Sequence, residues 1–153
     1  MSALDGLYQE VILDHARRRT GAGLAEPGPG HAAGESHQYN PTCGDEITVR
    51  VELAPGGAEP VVERISWDGE GCSISMAAAS VLAESAAGLS RSELAALIGA
   101  FRQLLRSRGA LEPDEELLGD AAAFAGVSRF AARVKCAMLG WVAAEEALDR
   151  AGR

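Results

Sequence analysis

The chain has 153 residues, of which 47% are hydrophobic and 24% are charged, and its formal net charge is −8 at pH 7. This length fits one domain with a substantial core, and the composition argues against disorder. The acidic balance argues against a nucleic-acid binder and against binding to anionic membrane surfaces, because both require a basic face. We see neither a signal peptide nor an apolar stretch long enough to span a membrane, and we therefore expect a cytoplasmic protein.

The first predicted element is an amphipathic helix. Its apolar residues recur at three- and four-residue spacing, which places them in one stripe. They are Leu4, Leu7, Tyr8, Val11 and Ile12. We interpret His15, which follows the stripe, as a packed or solvent-facing side chain, because it lies far from any cysteine motif. Gly21 is expected to end the helix, and the segment 21–36, rich in glycine and proline, is predicted to be a mobile surface loop that contains His31.

Three strands are predicted next. A short one lies around the sequence HQYN, residues 37–40. The second alternates strictly, with apolar side chains at odd positions from Ile47 to Leu53 and polar ones between them. After a turn at 54–60, the third strand, VVERISWDG, places Val61, Ile65 and Trp67 on one face. These patterns predict a small antiparallel sheet of about three strands with one buried face.

The C-terminal half is predicted to be helical. Ser90 and Glu93 match a capping box, and an apolar stripe follows them. The stripe consists of Leu94, Leu97, Ile98, Phe101, Leu104 and Leu105. Pro113 is predicted to open the next helix, and a last helix holds Val134, Met138, Trp141 and Leu148. Residues 1–153 are thus predicted to form one α+β domain, in which an N-terminal helix and the C-terminal helices pack on one face of the sheet.

The three cysteines of the chain are predicted to meet beside one carboxylate. Cys43 and Asp45 share the odd numbering of the apolar residues in the second strand, so an extended chain would direct both side chains to the core side. The third strand runs antiparallel to the second, and Cys72 at its end should therefore approach the beginning of the second strand. The odd number and the long spacings of the cysteines argue against a disulfide framework.

The surroundings of two cysteines favour thiolates. Cys72 lies where a strand becomes a helix, and Cys136 is placed near the start of the last helix, where the helix dipole stabilises an anion. Arg133 and Lys135 would strengthen this effect. Three thiolates and one carboxylate make a plausible tetrahedral zinc site. Because the chain has no C-x-x-C pair, the residues alone leave open that Asp45 merely begins a strand and that the cysteines are buried and inert.

Three short sequences carry a family resemblance. PTCGDEITV, DGEGCSIS and RVKCAML resemble, in this order, the cysteine motifs of the iron–sulfur assembly family that includes IscU, the NifU N-terminal domain and SufU. LYQEVILDHARRR resembles the first helix of that family, so the resemblance spans nearly the whole chain. Lys135 stands where IscU-type scaffolds carry a ligand histidine, and a charged lysine is a poor ligand. The 63 residues between Cys72 and Cys136 also resemble the longer spacing of SufU, with a helical insertion at about 88–126.

The resemblance to SufU implies a metal and a reaction. Cys43, Asp45, Cys72 and Cys136 would hold one Zn²⁺, and Cys43 would accept sulfur. The donor would be a SufS-type cysteine desulfurase that uses pyridoxal phosphate, and the sulfur would pass to an assembly scaffold of the SufBCD type. The protein would thus be a sulfurtransferase and a desulfurase activator rather than a stand-alone enzyme.

Three other interpretations stay open at this point. The same thiolates could carry a transient Fe–S cluster in an IscU-like scaffold, although Lys135 weighs against it. Zinc could serve folding alone, but the apolar periodicity predicts a core that supports most of the fold. A cysteine hydrolase would need a histidine beside the thiol, and His37 is the histidine nearest in sequence to Cys43.

Overall fold

The computed structural model describes residues 3–151, with side chains from Asp5 onward. Residues 1–2 and 152–153, and the side chain of Leu4 in the predicted first stripe, lie outside the described residues. Helix α1 spans Ala3–Arg18, as predicted. Its stripe is buried only in part, because Tyr8 and Ile12 pack against the core whereas Leu7 is 59% exposed.

The three strands form one antiparallel sheet in the order β1 (Ala32–Asn40), β2 (Asp45–Ala54) and β3 (Val61–Glu70). The central strand β2 buries its odd-numbered residues, which confirms the alternation. On β3, Ile65 and Trp67 are buried as predicted, but Val62 replaces Val61 on the buried face. The reason is a register shift opposite Glu52 and Leu53, which gives β3 an extra residue and reverses its alternation.

Strand β1 begins earlier than the sequence predicted. The loop predicted for residues 21–36 is wrong at 32–36, because these residues pair with β2. Alanine, glycine and serine have little preference for strands, so the pairing partner decides the conformation. Gly34 is required in this strand, since a Cβ there would lie 2.0 Å from the carbonyl oxygen of Ala147 in the last helix. The last helix can therefore approach β1 closely.

Hydrogen bonds connect the irregular residues 21–31 to the sheet. The N–H of Trp67 donates to the carbonyl of Gly21 at 2.9 Å. Further along, the buried carboxylate of Glu52 accepts the N–H of Gly28 at 2.9 Å, and Nδ1 of His31 lies 2.5 Å from the same carboxylate oxygen. This segment thus covers part of the sheet face that the helices leave open.

Four helices and a 3₁₀ segment follow the sheet. They are α2 (Ser73–Ala86), α3 (Arg91–Arg106), α4 (Glu115–Leu118), the 3₁₀ segment (Gly119–Arg129) and α5 (Ala131–Ala151). The capping box of Ser90 and Glu93 is confirmed, and all six predicted stripe residues of α3 are buried. The predicted start at Pro113 is wrong, because Asp114 caps α4 and its carboxylate accepts the N–H of Leu117 at 3.3 Å.

The helices pack on one face of the sheet and on one another, which confirms the α+β class. Helix α5 contacts β1 and β2, and α2 contacts β3. Phe101 of α3 stacks on Trp141 of α5 with ring centroids 3.9 Å apart, and it meets Phe124 edge-on at 5.6 Å. Within residues 3–151, every helix falls short of the length or the apolar character needed to cross a membrane. The packing of α5 against β1 and β2 places Cys136 near the beginning of β2.

Candidate metal centre

Cys43 lies in an exposed loop rather than on a strand. Residues 41–44 connect β1 to β2, and Gly44 has a φ of 75°, a left-handed conformation that favours glycine. The strand-parity prediction is therefore wrong for Cys43 and right for Asp45, which opens β2 and is only 1% exposed. The exposed thiol of Cys43 nevertheless reaches Cys136, and the Sγ atoms of the two residues are 3.3 Å apart.

Asp45 joins the start of β2 to the start of α2. Its Oδ1 accepts the N–H of Cys72 at 2.9 Å, and its Oδ2 accepts the hydroxyl of Ser75 at 2.7 Å. Burial opposes ionisation of this carboxyl, but the hydrogen bonds from Ser75 and Cys72 outweigh it and hold the pKa of Asp45 below its usual range. Asp45 therefore does more than begin a strand, since it is a fixed anion that faces the thiols.

Cys72 occupies the predicted place between β3 and α2, at the N-cap position of the helix, although its side chain makes no capping hydrogen bond. Its side chain is exposed, and its Sγ lies 3.8 Å from Oδ2 of Asp45 and 3.5 Å from the hydroxyl of Ser75. Possible ligand atoms of Cys43, Asp45 and Cys136 all lie within 4.8 Å of one another. Cys72 borders this group.

Cys136 is the buried thiol of the group, with 4% exposure. The prediction that the helix dipole favours a thiolate at Cys136 is wrong for the metal-free chain: burial, followed by the neighbouring Cys43 and Asp45, raises the pKa of this thiol. Helix α5 begins at Ala131, so Cys136 lies beyond its first turn. The stabilising effect of the helix dipole is largely confined to that first turn. A bound cation would have to supply the stabilisation of the thiolate that the helix does not.

The two basic residues near Cys136 on α5 lie in different surroundings. The guanidinium of Arg133 lies 5.2 Å from the centre of the Phe130 ring. Lys135 is exposed and lines a shallow groove of ≈ 350 Å³ together with Tyr39 and Met138. Their support of the thiolates stays a prediction.

Two buried polar residues at the site, Ser75 and Asn40, were not predicted from the sequence to belong to it. Ser75 binds Asp45, as described above. Asn40, the last residue of β1, is 6% exposed, and its Nδ2 lies 4.0 Å from Sγ of Cys136. The Asn-Pro pair at 40–41 is a turn signal that could have pointed to Asn40. Nothing in the sequence pattern around Ser75 distinguishes it from other serines in a helix.

The histidines in the described part of the chain contact groups outside the cysteine site. His15 is fully buried, as the packed alternative predicted, with Nδ1 2.8 Å from the Ser80 hydroxyl and Nε2 2.8 Å from the Asp120 carboxylate. His37 is exposed and lies against β2, where its Nδ1 is 2.8 Å from the Thr48 hydroxyl. Among the residues from 3 to 151, the histidines therefore provide no general base for Cys43, and the hydrolase interpretation gains no support.

The donor atoms fit a thiolate-rich metal site. Two thiolates on one tetrahedral zinc ion are roughly 3.8 Å apart when each Zn–S bond is ~2.3 Å. The 3.3 Å between the sulfurs of Cys43 and Cys136 is slightly less. A small outward movement of the Cys43 loop would correct it, while the buried Asp45 and Cys136 stay in place. Soft sulfur donors with one carboxylate suit zinc and also suit iron.

Comparison with known proteins places the chain among iron–sulfur assembly proteins. The model of the family described as "NifU-like N terminal domain" matches residues 7–148. The chain is 35% identical over 151 residues to the "Iron-sulfur cluster assembly scaffold protein IscU" of Streptococcus pyogenes serotype M1, covering 98% of this chain and 87% of the relative. It is also 35% identical over 148 residues to the "Zinc-dependent sulfurtransferase SufU" of Bacillus subtilis (strain 168), covering 96% of this chain and 92% of the relative.

Solved structures agree with this placement. FiSufU of Fervidobacterium islandicum AW-1, named as a scaffold protein for the SUF system, is 28% identical with a TM-score of 0.72, over 91% of this chain and 94% of that one. The N-terminal part of a NifU-like protein from Brucella abortus is 25% identical with a TM-score of 0.78, over 97% and 96% of the two chains. The chain therefore belongs to the family of NifU-like N-terminal domains, together with the IscU and SufU relatives.

Proposed function

We propose that this protein is a zinc-containing sulfur acceptor of iron–sulfur cluster biogenesis, which takes the outer sulfur of a persulfide onto Cys43. The observation that carries the proposal is the contrast between an exposed loop thiol, Cys43, and a buried thiol, Cys136, whose sulfurs are 3.3 Å apart. The name of the Bacillus subtilis relative, a zinc-dependent sulfurtransferase, supports it.

The four residues that would hold the ion are Cys43, Asp45, Cys72 and Cys136. A bound Zn²⁺ would keep the thiols deprotonated and hold them together, which counters the raised pKa that burial gives Cys136. Asp45 is prepared for this role, because two hydrogen bonds fix its carboxylate before any ion arrives.

Cys43 is the ligand best able to leave the set. It lies in the loop 41–44, whereas Asp45 begins the central strand and Cys136 is buried in a long helix. Cys72 is also exposed, but it lies at the start of α2 and its N–H donates to Asp45. If a side chain of the partner, such as a histidine, were to take its place as a ligand, Cys43 would be available as a thiolate. The loop can then present this thiolate to the partner without disturbing the core.

The sulfur transfer is a thiol–disulfide type of exchange. The Cys43 thiolate attacks the outer sulfur of the partner's persulfide, so a new S–S bond forms on Cys43 and the S–S bond of the partner breaks. The partner's cysteine leaves as a thiolate with the electron pair. The transferred sulfur is then the terminal atom of a persulfide on Cys43, and the step needs no external oxidant or reductant.

The partner that fits this chemistry is a SufS-type, pyridoxal-phosphate-dependent cysteine desulfurase. By removing sulfur from the persulfide of that enzyme, this protein would raise the turnover of the enzyme. It would then pass the sulfur to an assembly scaffold of the SufBCD type in the cytoplasm. Residues 1–153 would act as one domain. The part from about 88 to 126 would be an insertion relative to IscU, and it contains α3, α4 and most of the 3₁₀ segment.

A second candidate function is that of a scaffold on which an Fe–S cluster is assembled. The relatives from Streptococcus pyogenes and Thermotoga maritima are both named scaffold proteins, and the same thiolates would suit iron. Metal analysis of protein purified without oxygen separates the two candidates. Stoichiometric zinc supports sulfur transfer, and iron with acid-labile sulfide supports a scaffold.

The substitution Cys43→Ser tests the proposed function. We expect the variant to retain zinc at least in part, because three ligands remain, and to lose all stimulation of a cysteine desulfurase. Thr42→Ala, in the same loop, serves as the control and should keep both properties. Stimulation that persists in Cys43→Ser would contradict the role of Cys43 as acceptor. If the wild-type protein does not stimulate the desulfurase either, zinc would have a structural role alone.

A further inference from the structure

Asn40 holds the loop that carries Cys43. It is the last residue of β1 and pairs with Asp45, the first residue of β2, so these two residues close the loop. The backbone carbonyl of Asn40 accepts the N–H of Gly44 at 2.8 Å, and its side-chain Oδ1 accepts the N–H of Thr42 at 3.2 Å. One residue thus fixes both ends of the loop.

The other end of the Asn40 side chain faces the buried thiol. Nδ2 lies 4.0 Å from Sγ of Cys136, in a region where Asn40 itself is only 6% exposed. An amide N–H donates more strongly to an anionic acceptor than to a neutral one, so this contact would support the sulfur of Cys136 when it serves as a metal ligand. The amide therefore touches the buried thiol with one atom and the exposed loop with the other.

We propose that Asn40 is a positioning residue, which keeps Cys136 in the ligand set while Cys43 leaves it. This inference rests on the proposed function, in which Cys43 alone is exchanged. The amide donor stabilises Cys136 as a ligand, and the amide oxygen shapes the loop from which Cys43 departs. Asn40 would thereby determine which of the two neighbouring sulfurs is released.

The substitution Asn40→Asp separates the two ends of the side chain. Aspartate keeps an oxygen that can accept the N–H of Thr42, but it replaces the donor near Cys136 with a second oxygen. Because groups that support metal ligands typically change metal affinity by about 10–100-fold, we expect a loss of about tenfold in zinc affinity, measured by competition with a chromophoric chelator. In Co²⁺-substituted protein, the thiolate-to-cobalt absorption band should shift.

The decisive comparison uses the Cys43→Ser background. If Asn40 acts on Cys136, Asn40→Asp lowers zinc affinity in this background as much as in the wild type. If Asn40 only shapes the Cys43 loop, the effect disappears once the Cys43 thiol is gone, and the inference is wrong. Gln38→Ala is the matched control, because it removes an amide on the same strand that binds Glu146 and Ser36, and it should change neither affinity nor spectrum.

Two further outcomes have defined meanings. Should the metal-free Asn40→Asp variant fail to fold by circular dichroism, Asn40→Ser carries the same test, since a serine hydroxyl can accept a nearby backbone N–H in a turn but is too short to reach Cys136. A wild-type protein that binds no zinc, or a Cys43→Ser variant that loses all of it, overturns the proposed function and this inference with it. Unchanged affinity and spectrum in Asn40→Asp overturn only the role of Asn40.

Discussion

A methyl group added at Gly71 should impair the metal site without removing any ligand. Gly71 lies immediately before Cys72, and a Cβ at this position would be 2.4 Å from Oδ1 of Asp45 and 2.9 Å from its carboxyl carbon. Ordinary contact begins at 3.4 Å, so the carboxylate oxygen would have to move by about 1 Å. That movement would break the 2.9 Å hydrogen bond from the Cys72 N–H.

The size of the effect follows from this one displaced group. A hydrogen bond to a charged acceptor contributes about 1.5–3 kcal/mol, so the free energy of unfolding of the metal-free protein should fall by about 2 kcal/mol. For a chain of this length, that corresponds to a decrease in Tm of roughly 4–8 °C. The misplaced carboxylate should weaken zinc binding by about 10–100-fold, as loss of ligand orientation does in other metal sites.

Chelator competition on Gly71→Ala measures this weakening, and thermal unfolding with and without zinc measures the stability. The control is Gly99→Ala in α3, where a Cβ would meet nothing within 4 Å and the helix should gain about 0.5–1 kcal/mol. The control should keep the zinc affinity of the wild type. A Gly71→Ala variant that also binds zinc as tightly as the wild type would show that Asp45 is not a ligand.

Three other variants test neighbouring parts of the account. Ser75→Ala removes the hydroxyl that donates to Asp45 at 2.7 Å, and zinc affinity should fall by about tenfold in chelator competition while the fold is kept. Gly34→Ala puts a methyl group 2.0 Å from the carbonyl oxygen of Ala147, which should push α5 away from β1 and lower the Tm in calorimetry by roughly 5 °C or more. Glu52→Gln should flatten the dependence of unfolding free energy on pH, measured in denaturant titrations between about pH 3 and pH 6. Burial alone would raise the pKa of Glu52, but the hydrogen bonds from Gly28 and His31 and the charge of Arg64 lower it. The wild type should therefore lose stability as the pH falls below the ordinary glutamate pKa of about 4.3.

Different results would contradict each of these expectations. Unchanged zinc affinity in Ser75→Ala would mean that the Asp45 carboxylate does not depend on this hydroxyl. A normal Tm in Gly34→Ala would show that α5 does not pack on β1 as closely as described. Equal pH profiles for the wild type and Glu52→Gln would remove Glu52 as a source of acid sensitivity.

The helical stripe of α3 and the alternation of β2 were predictable because both signals are local and strong. All six stripe residues of α3 are buried, and the odd positions of β2 face the core. The first half of β1 was not predictable, since its Ala, Gly and Ser residues become a strand only through pairing with β2. The extra residue in β3 likewise arises from strand pairing, and it reverses the alternation that had placed Val61 on the same face as Ile65 and Trp67.

At the site, the sequence predicted that Asp45 and the three cysteines lie near one another, and the argument for this holds only in part. Asp45 and Cys72 meet because the antiparallel pairing of β2 and β3 places the end of β3 beside the beginning of β2. Cys43 reaches Cys136 from a loop with a left-handed glycine, which strand parity does not describe. The buried supports, Asn40 and Ser75, could be recognised only when the fold showed which atoms face the thiols and the carboxylate.

The most direct test of the central claim locates the transferred sulfur. The zinc-loaded protein is incubated with a cysteine desulfurase and cysteine, digested without reductant, and mapped by mass spectrometry. Our account predicts that the mass of one sulfur atom is added to the peptide of Cys43 and that zinc remains bound to the protein. Sulfur found on Cys72 or Cys136 instead, or none on any cysteine, would contradict it.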